Sequence, residues 1–263
     1  MRDNPERLAW AILLASFFLC LTLGVMTPLS VRWYIRNARM NQQISLQVHR
    51  GPLSVVYGGH GRPRSVFEDN SDVTLGSRIR APNATSGQLV VRAPQSSDLT
   101  PIVTIQLYDE TEFVLSSAHS PRFASSHLPH QVTLDMEAGR MRINVFGDND
   151  RSTVVEVHTA QGLVVLKEGS YEVKINSETE TTVRYGQADI TSKSGDALSL
   201  GPRERARLSA YEVDGPLPAA RNLIVNGDFE DSLVNGWSSY DRQTDPERPP
   251  GQVQVATALV GNE

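Results

Sequence analysis

The chain has one cysteine in 263 residues, Cys20. A lone thiol forms no intramolecular disulfide and no thiolate zinc cluster. The usual marks of several enzyme classes are missing as well. There is no G-x-S-x-G nucleophile elbow, no G-x-x-x-x-G-K-[ST] phosphate loop and no G-x-G-x-x-G dinucleotide turn. A basic excess is absent too, since 25 Lys and Arg stand against 30 Asp and Glu, a net charge of −5. Five of the basic residues (Arg2, Arg7, Arg32, Arg36 and Arg39) fall in residues 1–40 against Asp3 and Glu6, which leaves 20 basic and 28 acidic groups in the remainder. Affinity for polyanions rests on Lys and Arg neutralising phosphates, so the body of the chain is not expected to bind nucleic acid. Hydrophobic residues at 39% and charged residues at 21% exclude wholesale disorder and a collagen-like repeat.

Charge is also missing locally. None occurs between Arg7 and Arg32, and Leu8–Leu29 is almost wholly apolar. A helix over those residues is about 33 Å long at 1.5 Å per residue, enough for a hydrocarbon core of about 30 Å. Trp10 near one end and Trp33 and Tyr34 at the other sit where interfacial aromatics are favoured. The run is longer than the apolar region of a cleaved signal peptide and carries no A-x-A site. Leu19 occupies the place before Cys20 where a lipoprotein signal needs a small residue. The expectation is an uncleaved single-pass anchor, with the membrane as partner through Leu8–Leu29. Three arginines flank its C-terminal side and two its N-terminal side, but the terminal amine nearly levels that count. Large domains also translocate largely regardless of flank charge, so the charge rule leaves orientation open.

From about Ser45 to Val213 no helical period is visible; short alternation recurs instead. Val132, Leu134 and Met136 alternate with Thr133 and Asp135. Met141, Ile143 and Val145 alternate with Arg142 and Asn144, and Tyr171, Val173 and Ile175 with Glu172 and Lys174. A period of two with polar partners marks strands buried on one face. Turn signals separate them at Gln161-Gly162, Glu168-Gly169-Ser170, Tyr185-Gly186-Gln187, Ser194-Gly195-Asp196 and Gly201-Pro202. The fold class expected is all-β, with short antiparallel strands in a stack or sandwich behind one transmembrane helix. The boundaries read as a short tail at 1–7, the anchor at 8–29, a juxtamembrane segment at 30–44 and the β domain at 45–213. Arg36–Gln43 is polar and could extend the anchor helix. A proline-containing linker is expected at 214–221 and a last unit at 222–263, too short to bury its own core and read as unfinished.

The order of these motifs resembles the FecR-like domain, an extracytoplasmic all-β module named for a ferric-citrate regulator. Leu46-Gln47-Val48-His49-Arg50-Gly51 followed by Leu53-Ser54-Val55 resembles its opening strand, turn and strand. Val73-Thr74-Leu75-Gly76-Ser77-Arg78-Ile79-Arg80 resembles its G-D-x-I-x-T step, with Ser77 in place of Asp and Ala81 in place of Thr. Val132-Thr133-Leu134 with Glu137-Ala138-Gly139-Arg140-Met141 resembles the next step. Val155–Thr159, Gly169–Val173 and Thr182–Gly186 resemble the later half. Regulatory members of the family carry a cytoplasmic helical domain that handles a sigma factor. Only Met1–Arg7 precedes the anchor here, so the resemblance brings the fold without that role.

The tail resembles the opening of a jelly-roll carbohydrate-binding module, through Asn222-Leu223-Ile224-Val225-Asn226-Gly227-Asp228-Phe229-Glu230 and Asn235-Gly236-Trp237. In such modules an acidic residue near the start ligates a structural calcium, and Glu230 holds the matching position. Trp237 reads as a core residue ahead of a sugar platform. Beyond that implied calcium no cofactor is expected.

Other candidates have plainer readings. His119, His127 and His130 lie close together, but Pro121 and Pro129 fall among them, and they read as loop histidines at a solvated surface. Tyr57-Gly58-Gly59-His60-Gly61-Arg62 reads as a hairpin loop and Asp148-Asn149-Asp150 as a turn. Asp109-Glu110 and Glu68-Asp69 are adjacent in sequence and point to opposite faces if on strands, so they make poor acid–base couples. No catalytic residue emerges. The function expected is a membrane-anchored, non-enzymatic envelope protein of bacterial type, with the bulk of the chain extracytoplasmic and a module for cell-wall or extracellular polysaccharide. The alternatives are a FecR-type signalling component acting through a partner, and a surface glycan hydrolase whose catalytic part lies beyond residue 263.

Overall fold

The apolar run is helical, and it passes into strands without a break. The computed structural model describes residues 5–59, 61–69, 73–94, 101–147 and 151–219. Helix α1, Pro5–Asn37, is apolar and exposed on every side through its middle, and it is long and apolar enough to cross a membrane. One residue later β1 (Arg39–Asn41) begins, and β2 (Gln43–Arg50) follows it. The β domain therefore starts at Arg39, inside the segment expected to be juxtamembrane, and the helical extension of the anchor ends at Asn37.

The strands that follow are β3 (Leu53–Val56), β4 (Arg64–Val66), β5 (Arg78–Ala81), β6 (Ser86–Arg92), β7 (Pro101–Leu107), β8 (Thr111–Pro121) and β9 (His130–Val145). The second half supplies β10 (Thr153–His158), β11 (Gly162–Leu166), β12 (Gly169–Ile175), β13 (Thr179–Tyr185), β14 (Ala188–Ser192), β15 (Ala197–Leu200), β16 (Glu204–Leu208) and β17 (Val213–Pro218). The last of these corrects the linker reading. Asp214–Pro218 is strand, because Val213, Asp214, Leu217 and Pro218 find partners in Leu208, Arg207, Arg205 and Glu204. Pro216 and Pro218 lack amide hydrogens, and β17 pairs with β16 on one side alone, where prolines are tolerated.

Two sheets share the 16-residue strand β9. The first runs β4-β3-β5-β8-β9-β10-β11-β14-β15, with β1 beside the end of β8. The second runs β2-β6-β7-β9-β12-β13-β16-β17. Inward side chains of both form one core, including Phe113, Leu115, Val132 and Leu134 from the first and Leu89, Ile105, Ile143 and Val183 from the second. This is an all-β domain behind a single helix, as the alternation predicts. One pairing departs from the antiparallel expectation: β10 lies parallel to the first half of β9, Thr153 opposite His130 and His158 opposite Asp135. A parallel neighbour needs a crossover of a dozen residues or more. The second half of β9, which lies in the other sheet, supplies much of it.

Tyr171, fully buried on β12, ties the second half together. Its hydroxyl lies 3.1 Å from the Glu168 carbonyl and 3.0 Å from both the carbonyl and the amide nitrogen of Gln187, donating to the carbonyls and accepting from the amide. Gly169 and Gly186 leave the room its ring occupies, since a Cβ at either would come within 2.5 Å of the hydroxyl. Burial raises the phenol above its ordinary value. Tyr171→Phe is expected to cost about 1–3 kcal/mol, because the Gln187 amide loses its acceptor. A group with a raised folded-state pKa stabilises below its unfolded value, about 10, and loses that contribution as pH climbs through the folded one. The melting difference between wild type and Tyr171→Phe should hold from pH 7 to 9 and shrink above pH 10.

Candidate functional site

The junction between α1 and the β domain brings together the most unusual chemistry among the described residues. Tyr34, Arg36 and Ala38 meet the 122–129 segment that links β8 to β9. Ala38 accepts from the Arg122 amide at 2.9 Å, and the Arg36 carbonyl accepts from the Ser126 hydroxyl at 2.6 Å. The Tyr34 and Phe123 rings pack edge to face at 6.0 Å, and the Arg122 guanidinium reaches the Tyr34 hydroxyl at 3.3 Å. From the other side Arg151, just ahead of β10, donates to the carbonyls of Phe123, Ala124 and Ser126 at 3.2–3.4 Å. The Phe123 carbonyl also accepts from the Ser126 amide at 3.0 Å, so Arg151 adds a second donor there and supplies partners to the Ala124 and Ser126 carbonyls.

Strand β1 continues the clamp inward. Its three residues pair with Pro121, Ser120 and His119. Gln42, buried, donates its side-chain amide to the His119 carbonyl at 2.8 Å and to the Ser120 hydroxyl at 3.1 Å, and Ser120 shares a 2.7 Å hydrogen bond with His130 Nδ1. The chain leaving α1 thus enters the core through strand pairing and side-chain hydrogen bonds, although Gln42 Oε1 and His119 Nδ1 are buried without a partner among the described residues.

A cleft of about 390 Å³ opens beside this junction, lined by Pro28, Val31, Arg32, Ile35 and Arg36 of α1 and by Ser125. Pro28, Arg32 and Arg36 are spaced i, i+4, i+8 and share one face of the helix. Neither the Arg32 nor the Arg36 guanidinium has a hydrogen bond or ion pair among the described residues. Carboxylates are far away in sequence: none occurs between Glu6 and Glu68, nor between Glu112 and Asp135. The charge count by region contained this signal, but only the fold brings the two acid-free stretches together.

The histidine reading needs correcting. His119 and His130 are strand residues of β8 and β9, the first half-buried and the second buried, and only His127 sits exposed in the connection. Pro121 and Pro129 bracket the strand ends, so they do not remove their neighbours from strands. Tyr57–Gly59 is a single 3₁₀ turn between β3 and β4, in keeping with a hairpin. Asp109 and Glu110 occupy the β7–β8 turn, and Asp69 accepts from the Val48 amide at 3.1 Å. No group of three His, Cys, Asp or Glu converges as a metal site among the described residues. Asp148–Asp150, Glu230 and Trp237 lie outside the described residues, so the calcium and platform readings stay expectations.

No family model matches the chain, and no curated protein matches it. Two crystal structures of a protein from Parabacteroides distasonis, described as a "putative anti-sigma factor", match it with TM-scores of 0.35 and 0.36 at 20% and 19% identity. Each match covers 51% of this chain and 55% of that one, so the chain spans about half the length of the structures it matches.

Proposed function

We propose that the chain is a membrane-anchored, non-enzymatic envelope protein whose β domain is held fixed at the extracytoplasmic surface as a scaffold for the segment beyond Ala219. The observation that supports this reading is the junction. The apolar helix runs to Asn37, β1 begins at Arg39, and the 122–129 segment grips the helix end. A domain that had to search for partners away from the membrane would gain reach from a flexible linker; this one has none. The resemblance of the β domain to FecR-like modules and of the tail to a polysaccharide-binding module belongs to the same proposal.

Protease added to intact spheroplasts should remove an epitope inserted after Ser209, in the β16–β17 hairpin, while one placed at Met1 stays protected. Survival of the Ser209 epitope until lysis overturns the orientation. Retention of the full-length natural protein on cell-wall polysaccharide tests the tail, and its absence there removes the glycan part of the reading. The unbroken junction also suits a second reading, a signalling component acting through a separate partner, because a rigid joint passes rotation of the domain to the helix. A photo-crosslinker at Asn4 decides between them. Signalling requires a cytoplasmic adduct that disappears when four Gly-Ser residues separate Asn37 from Ala38; a scaffold gives no such dependence.

A further inference from the structure

We infer that the cleft between α1 and the 122–129 segment binds one anionic glycerophospholipid from the membrane that the helix crosses. The inference rests on the anchor reading but adds a site to it. Helix rise sets the depth. With the hydrocarbon ending near Leu29, Arg32 lies about 4–5 Å beyond it and Arg36 about 10 Å. The headgroup layer is about 5–7 Å thick on each side of the hydrocarbon, so the two guanidiniums span the level of the lipid phosphates. Along the helix the cleft lining runs from apolar Pro28 at the hydrocarbon edge through Val31 and Arg32, about 3 and 4–5 Å beyond it, to Ile35 and Arg36 at about 9–10 Å, with Ser125 completing the lining. An amphiphile with acyl chains below and an anion above matches that order. A soluble phosphate would leave the apolar wall wet.

The charges make the choice among lipids. The two guanidiniums place positive charge at the level of the lipid phosphate, and no carboxylate near them in sequence competes. A zwitterionic headgroup would bring its own ammonium next to two arginines. A headgroup with net negative charge adds attraction instead. Arg39 and Arg122, both exposed at the same junction, extend the positive field without lining the cleft. The rest of the chain is net acidic, so this end alone is drawn to an anionic surface.

The test uses the full-length chain in neutral detergent with equimolar phosphatidylglycerol and phosphatidylcholine, read by native mass spectrometry. One phosphatidylglycerol should be retained with at least tenfold preference. The double variant R32Q/R36Q should bring the preference to within twofold, R32K/R36K should keep most of it, and R62Q/R64Q, changed on the β domain, should leave it untouched. Millimolar inorganic phosphate should not displace the lipid. Equal retention of the two lipids by wild type, unchanged preference in R32Q/R36Q, loss in R62Q/R64Q, collapse in R32K/R36K, or displacement by phosphate each overturns the site. Alkaline carbonate extraction runs beside it: release of the chain from membranes defeats the anchor reading itself, whereas a chain that stays integral without lipid preference defeats only this site.

Discussion

Val173→Asp should abolish cooperative folding of the β domain. Val173 is fully buried on β12, on the same face as Tyr171 and Ile175, with Met141 of β9 and Thr181 of β13 as its register partners. Of the two register partners only Thr181 is polar, and its hydroxyl is buried and unpartnered among the described residues. One hydrogen bond does not replace the hydration of an ion. The side chain must either stay charged at a cost of several kcal/mol or take up a proton, with the loss growing as pH rises. Domains of this size have about 5–15 kcal/mol in hand, so one such change consumes much or all of it. Val173→Thr is the informative companion. It keeps the shape, and its hydroxyl can pair with that of Thr181, so it should cost only about 1–2 kcal/mol. Full-length protein in detergent, followed by pulse proteolysis in urea, gives the comparison. A native-like midpoint for Val173→Asp would falsify the assignment of that face to the core.

Such predictions were legible from alternation alone, and the reason is physical. Where one face of a strand is wet and the other dry, a period of two is written into the residues. Val132, Leu134, Met136, Met141, Ile143, Val145, Tyr171 and Val173 all point inward as their spacing requires. The N-terminal helix is equally plain, because a run long and apolar enough to cross a membrane carries no charge on any side. Three features escaped for the opposite reason. Strand β17 carries Gly215, Pro216 and Pro218, residues that local rules assign to linkers, and edge pairing overrides them. Alternation places the start of the domain at about Ser45 and leaves polar Arg36–Gln43 as a possible extension of the helix; β1 and Gln42 are held by pairing and side-chain bonds that hydropathy does not report. A fragment of residues 45–213 would therefore lose β1, Gln42 and most of β17, so 39–219 is the unit that should fold alone. The lipid cleft was hidden for a similar reason. Arg32 and Arg36 are visible as flanking charge, but Ser125 is 89 residues beyond Arg36. Only the fold brings the 122–129 segment to the helix.

Gly139→Ala should destabilise the domain by about 3 kcal/mol or more, a large effect for adding a single methyl group. Along β9 the buried positions are even-numbered up to Met136 and odd-numbered from Met141. A regular strand cannot do this, since a one-residue slip turns every side chain to the other face. The slip is taken up over Glu137–Arg140, where β9 leaves the first sheet for the second, and Gly139 sits in it at φ +91°. The corner is gripped from outside. Thr111 Oγ1 donates to the Arg140 carbonyl at 2.6 Å and accepts from the Arg140 amide at 3.1 Å, while Arg78 bridges Glu112 and Glu137. A Cβ at Gly139 would lie 2.4 Å from Thr111 Cα and 2.5 Å from the Glu110 carbonyl oxygen, backbone atoms that cannot rotate away. Gly195 supplies the control. It has nearly the same angle, φ +95°, but open space where its Cβ would go. Gly195→Ala therefore reads the backbone penalty by itself, about 1 kcal/mol. Gly139→Ala adds the clash, so its denaturation midpoint should fall well below that of Gly195→Ala. Equal midpoints would mean that β9 turns between the sheets without needing a glycine there. A deficit at Gly139 in excess of that at Gly195, with native strand content retained below the transition, would show that the turn of β9 between the sheets requires a residue without a Cβ there.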